Sequence, residues 1–176
     1  MVNTMKSLIY AVGILVVLYL LSDGAFKQIS AQRLDESIIQ VSYPESYRGW
    51  TRVKSMVILK GHENYDAFGG FHHIYANAMA LGSLKKGESF PTGSVLVFEL
   101  FREIIEDSTI SEGNRLVVGV MEKDKIRFEA TAGWGFEDFK VVNGTYERAV
   151  TNASEQCLSC HSSQKANDYV YSSYKE

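Results

Sequence analysis

Two thiols and an imidazole stand close together near the C-terminal end of the chain. They are Cys157, Cys160 and His161, in the stretch Glu155-Gln156-Cys157-Leu158-Ser159-Cys160-His161. These are the sequence's two cysteines. Their spacing has a chemical reason. Two thiols three residues apart on one helical turn can add across the two vinyl groups of a haem. A histidine directly after the second is then placed to ligate the iron from the proximal side. Other chemistries compete for the same residues. Zinc needs about four ligands, and His62, His72 and His73 form no spaced pair with the cysteines. A thioredoxin-like dithiol follows the first strand of a βαβ unit, whereas this motif ends a strand-rich chain. A disulfide between Cys157 and Cys160 would close a tiny loop and stabilise little. The motif reads as covalent attachment of one haem c through Cys157 and Cys160, with His161 as the iron ligand.

Such a segment needs a scaffold to cover the haem. The chain has 176 residues, enough for one domain with a real core. Lys and Arg number 18 against 21 Asp and Glu, a net charge of −3. No basic block stands out, so nucleic-acid binding has little support. At the N-terminus, Lys6 precedes an apolar run from Leu8 to Leu21. A run of that length falls short of the roughly 20 residues of a comfortable membrane span and reads as a secretory signal or a membrane anchor. The expected division is residues 1–24 as signal peptide or anchor, 25–42 as linker or short helix, and 43–176 as the haem domain. Export agrees with the motif, because c-type haem is attached outside the bacterial cytoplasm.

Strand-like patterns dominate the domain. Residues 52–60, 71–77 and 94–106 alternate or run apolar as strands do. Ala78–Lys86 reads as a short helix closed by Gly87. Pro91-Thr92-Gly93 and Glu112-Gly113-Asn114 read as turns. Residues 115–123 and 126–132 predict a hairpin around Asp124, and residues 146–156 predict a helix leading to the cysteines. The expected fold is mainly β (α+β): an antiparallel sheet, a few helices and a C-terminal haem-binding segment. Along 94–100, Ser94, Leu96, Phe98 and Leu100 share one face, which is apolar after Ser94. If that face looks at the haem, it offers no base or sixth ligand near Phe98. Met56, Met79 and Met121 read as core filler, Arg127 as pointing to solvent, and adjacent His72 and His73 as pointing to opposite sides of a strand.

Several stretches resemble the cytochrome P-460 and cytochrome c′-beta family: Phe90-Pro91-Thr92-Gly93-Ser94-Val95-Leu96-Val97, then Gly133-Trp134-Gly135-Phe136-Glu137-Asp138-Phe139, then Asp168-Tyr169-Val170-Tyr171 after the haem motif, and His73-Ile74-Tyr75-Ala76-Asn77 early in the domain. Their order around the Cys-x-x-Cys-His makes the likeness specific. The resemblance implies an antiparallel β fold, a homodimer and a five-coordinate haem with His161 on its proximal side. In the cytochrome P-460 branch a lysine is cross-linked to the macrocycle and hydroxylamine is oxidised. The c′-beta branch lacks the cross-link, caps the distal side with phenylalanines, and binds nitric oxide and carbon monoxide. Phe98 stands where the lysine would be, and Phe68 or Phe71 is the candidate for a second cap.

The resulting expectation is a periplasmic c-type cytochrome, either released by cleavage of its N-terminal segment or held by it at the inner membrane. It would bind a small diatomic gas in a Phe-capped pocket and exchange electrons with a redox partner protein. Two alternatives stay open: a hydroxylamine- or nitric oxide-oxidising enzyme, and an electron-transfer cytochrome. The first needs the lysine cross-link and, as the resemblance implies, a distal carboxylate for proton transfer; the second needs a sixth iron ligand.

Overall fold

The computed structural model describes residues 40–175; the expected signal or anchor segment and most of the linker lie outside them. Six strands form one antiparallel sheet in sequence order: β1 (Thr51–Ile58), β2 (Gly70–Ala76), β3 (Val95–Glu106), β4 (Thr109–Lys123), β5 (Trp134–Val142) and β6 (Thr145–Arg148). One regular helix, α1 (Ala78–Lys86), links β2 to β3. The mainly β architecture expected from the strand patterns is what the chain adopts. Among the described residues no helix is long and apolar enough to cross a membrane.

Both faces of the sheet are covered, which explains why β3 reads as an almost unbroken apolar run. On one face Val97, Val118, Val120 and Phe139 pack with Val41, Tyr47 and Phe128. On the other, Ala76, Leu96, Trp134 and Phe136 pack with Ala80 of α1, Phe90 and Val170, and Cys157 and Leu158 join this cluster. The second face is therefore the one that receives the haem-motif segment. α1 begins at Asn77, whose side-chain oxygen accepts the Ala80 N–H at 2.9 Å and the Val95 N–H at 3.2 Å. One amide thus caps the helix and ties it to the start of β3. Gly87 closes α1 in the left-handed conformation, φ +67°, as its place after Lys86 predicts.

Three local expectations are corrected. The expected turn at Glu112-Gly113-Asn114 lies inside β4. The real turn is Asp107-Ser108, both at positive φ, between the paired Glu106 and Thr109. Gly113 instead sits where the register shifts opposite Arg102. A Cβ there would come within 2.9 Å of the Arg102 carbonyl oxygen, so the glycine permits a bulge rather than a reversal. Residues 126–132 form no strand. The Asp124 carboxylate accepts the N–H groups of Ile126 and Arg127 at 3.0 and 3.1 Å, and this Asx turn leads into a 3-10 turn, Glu129–Thr131. The partner of β4 is β5. Residues 146–156 form no continuous helix, because Asn143-Gly144, at φ +49° and +80°, makes the two-residue hairpin turn that starts β6. Helical structure begins only at Ser154.

Candidate functional site

The haem motif folds as a π-helical turn, Ser154–Leu158, followed by the α-turn Ser159–His161 and 3-10 turns over Ser162–Asn167. Gln156 helps start it: its side-chain oxygen accepts the N–H groups of Thr151 and Asn152, each at 2.7 Å. Both cysteines are free thiols, Cys157 half-buried and Cys160 exposed. Burial pushes the Cys157 thiol up to about 12, with the Asp138 and Glu137 charges adding to it. His161 Nδ1 lies 2.7 Å from the Tyr169 carbonyl oxygen. A carbonyl only accepts, so Nδ1 carries the hydrogen and Nε2 keeps its lone pair. Burial lowers the His161 pKa, which favours the neutral, metal-ligating form. The ring is steadied by Phe136, 5.1 Å away, and Tyr171, 5.2 Å away.

The loop that follows the motif, eight residues past His161, places that carbonyl. Asp168 and Tyr169 both have positive φ, +47° and +66°. The Asp168 carboxylate accepts the Lys123 ammonium at 2.7 Å and the Phe90 N–H at 2.9 Å. Its backbone oxygen accepts the Trp134 indole N–H at 2.8 Å. Lys123 is 3% exposed along its side chain and also stands 4.7 Å over the Trp134 ring. One residue thus pins the loop to β4, β5 and the turn before β3, and the next residue orients His161.

The sheet beneath is arranged in cross-strand rows. Ala76, Leu96, Met121 and Phe136 form one row, and His161 packs over Phe136. The next row on that face, roughly 7 Å along the strands, runs Lys54, Ile74, Phe98, Gly119, Asp138. Phe98 therefore shares the face of Cys157. A Cβ on Gly119 would come within 2.9 Å of Asp138 Oδ1 and 3.1 Å of Phe98 Cδ1. The glycine lets the Asp138 carboxyl and the Phe98 ring close over the β4 backbone, where any other residue would crowd them. Asp138 is drawn into the row by its place opposite Gly119, and burial first, then Glu137, raises its pKa.

The second aromatic beside Phe98 is Phe68. Its ring stands edge-on to Phe98 at 6.3 Å, on a helical turn, Tyr65–Phe68. Phe71 is not brought to this face. It packs at 5.0 Å on His73, because a strand sends alternate side chains to opposite sides. His72 and His73 divide in the same way. His72 meets Phe98 edge-on at 4.8 Å and bonds the Phe68 carbonyl at 2.5 Å, holding the turn that carries Phe68. Burial lowers its pKa. His73 bonds Ser55 Oγ at 2.8 Å and the Glu112 carboxylate on the other side. Lys54 shares the Phe98 row but is exposed on the edge strand, two strands away. Arg127 does not simply face solvent: it pairs with Glu122 at 2.6 Å and lies 4.7 Å over the Phe128 ring.

A cleft of about 760 Å³ opens elsewhere, lined by Arg48, Phe101, Glu112, Arg115, Val141 and Tyr146 among others. Arg48 and Arg115 both pair there with the fully buried Glu99, at 2.7 and 3.0 Å, and Glu99 shares the face of Val97. This cleft belongs to the other side of the sheet and has no part in the Cys157 face. Among the described residues no group of three or more His, Cys, Asp or Glu side chains is disposed to hold a metal ion alone.

The donor set fits a haem: two free thiols and an imidazole with its Nε2 available, on the face that carries Ile74 and Phe98. Asp138, Gly119 and Asp168 are the parts that sequence spacing alone does not assign. Only the glycine inside an apolar strand pattern carries a local signal, for close approach. No curated protein matches the chain. The Cytochrome P460 family matches it over residues 44–172, a stretch that takes in every strand and the whole Cys-x-x-Cys-His segment. The chain belongs to the cytochrome P460 family and is on that ground a haem protein.

Proposed function

We propose that the protein carries one haem c joined to Cys157 and Cys160, with the iron ligated by His161 Nε2, and that it binds nitric oxide or carbon monoxide in a pocket capped by Phe98 and Phe68. The observation that carries this reading is the Phe98 row, set on the Cys157 face beside the row under His161. The haem supplies an iron with one position open to a ligand. The chain's own residues do the rest. Tyr169 fixes the imidazole tautomer. His72 anchors the Phe68 turn. Phe98 and Phe68 keep the pocket apolar and narrow, which favours small uncharged ligands over anions and water. Phe98 in place of a cross-linking lysine sets this reading apart from hydroxylamine oxidation.

The reading includes an exported, periplasmic protein with the N-terminal segment as signal or anchor, a homodimer, and a redox partner that supplies electrons. Support for export lies in the apolar run after Lys6 and in the requirements of haem c attachment. Support for the dimer lies in the family likeness.

Replacing Phe98 with alanine is expected to speed carbon monoxide association with the reduced protein about tenfold, equivalent to about 1.4 kcal/mol less barrier. Stopped-flow mixing measures this. An unchanged rate would mean that Phe98 does not line the ligand path, and the Phe-capped pocket would fall.

A further inference from the structure

The cleft on the side of the sheet away from Cys157 has two guanidiniums in its wall, Arg48 and Arg115. Both converge on one oxygen of the fully buried Glu99. Glu99 Oε1 accepts Arg48 Nε at 3.1 Å, Arg48 Nη2 at 2.7 Å and the Tyr47 hydroxyl at 2.5 Å. Arg115 Nε lies 3.0 Å from the same oxygen, yet off the line of a hydrogen bond, and it has no other acceptor among the described residues. Arg115 Nη1 donates to the Tyr146 hydroxyl. A guanidinium carries five N–H donors, so most of those in this wall have no acceptor on the chain. The acid at the rim, Glu112, is already engaged by His73 Nε2. The rest of the wall is flat or apolar. Arg115 stands 5.7 Å over the Phe101 ring, Tyr146 stacks on Tyr43 at 4.5 Å, and Leu116 and Val141 fill the sides.

We propose that this cleft binds a small organic carboxylate with a flat, apolar body, its carboxylate held by Arg48 and Arg115 and its body laid against Phe101 and Tyr146. Each element of the choice has a physical ground. The guanidinium fork matches the two oxygens of a carboxylate. Glu99 and Tyr47 hold Arg48 in place before a ligand arrives, which lowers the ordering cost of binding. The aromatic and aliphatic walls favour an organic anion over an inorganic one. The Glu112 charge disfavours a second negative charge on the ligand, so a monoanion fits better than a phosphate dianion. A volume of about 760 Å³ suits a small molecule. The site lies across the sheet from the haem motif and is independent of the gas-binding reading.

The test is isothermal titration calorimetry of the full-chain holoprotein at low salt, with benzoate as the probe and benzyl alcohol and inorganic phosphate beside it. The expected result is benzoate binding at least about tenfold tighter than either comparison, since charge-assisted hydrogen bonds are the strong ones. Arg48→Gln should weaken benzoate about tenfold, equivalent to about 1.4 kcal/mol. Its side chain is 54% exposed and its loss leaves Arg115 beside Glu99, so the fold should persist, and circular dichroism checks this. Tyr146→Leu, on the short edge strand β6, should weaken benzoate about threefold through loss of the aromatic wall. Visible spectra recorded during the titration report any binding at the iron. No benzoate heat, equal affinity for benzyl alcohol or phosphate, or an affinity unmoved by Arg48→Gln would each overturn the proposal. Binding that shifts the Soret band would overturn it too, by placing benzoate at the haem. A second copy of the chain covering this face would appear as a dimer in sedimentation that takes up no benzoate, and would likewise overturn it. None of these outcomes touches the haem reading, which the carbon monoxide kinetics test separately.

Discussion

Asp168→Ala is expected to remove a large part of the stability of the fold. Removing one partner of a buried ion pair costs about 3–5 kcal/mol, because the other charge is left without compensation. Lys123 is that other charge. It ends β4, an interior strand, with its ammonium 2.7 Å from Asp168. The Phe90 N–H loses its acceptor at the same time. The left-handed backbone at position 168, φ +47°, suits Asp or Asn far better than Ala. A domain of this size is stable by only about 5–15 kcal/mol in all. Urea unfolding of the full chain, followed by circular dichroism, should show a large fall in midpoint. The double variant Lys123→Met/Asp168→Asn removes the stranded charge and keeps a residue suited to that backbone. It should recover a large part of the loss, as coupled neighbours do. A loss under about 1 kcal/mol for Asp168→Ala would mean that Lys123 reaches water, contrary to its 3% exposure.

The second large effect concerns attachment. In the double variant Cys157→Ala/Cys160→Ala no thioether can form, and His161 alone must hold the haem. Tethering raises the effective concentration of a group at its site by orders of magnitude, so loss of both tethers removes far more than two weak contacts. The expected result is complete loss of covalent haem, read as an intact mass equal to the bare polypeptide after denaturation. Each single variant keeps one thioether and retains haem. The fold should persist in the double variant, because Cys157 is only half-buried and trimming its sulfur costs about 1 kcal/mol. Haem that stays bound to the denatured double variant would mean that another residue makes the link.

The parts of this molecule legible in the sequence are those fixed by neighbours along the chain. β3 is one, because Val, Leu, Phe and Ile crowd a strand covered on both faces. α1 is another, because Asn77 and Gly87 cap it locally. The haem motif is a third, since five consecutive residues carry all its groups. The misread parts are governed by contacts that a periodic pattern does not register, some across the sheet and some only two or three residues away. Gly113 looks like a turn and is a bulge, because its requirement comes from the Arg102 carbonyl across the ladder. Residues 126–132 look like a strand, yet Asp124 captures their first two N–H groups. In the site, Phe68 and Phe71 are alike in one dimension. Only the pleat and the turn before β2 put Phe68 beside Phe98 and send Phe71 to His73. The pairings Gly119 with Asp138, Lys123 with Asp168 and His161 with Tyr169 leave no local trace beyond a glycine in an apolar strand.

One measurement reaches the central claim most directly: the ultraviolet–visible spectrum of the purified holoprotein when ferric, when reduced with dithionite, and when reduced with nitric oxide or carbon monoxide added. The expected result is an ordinary high-spin c-haem spectrum that shifts on adding either gas. A strongly red-shifted ferrous Soret band would contradict it, since that marks a modified macrocycle and the oxidising enzyme. A low-spin spectrum unmoved by gas would contradict it as well, and would leave a cytochrome whose iron has both axial positions filled.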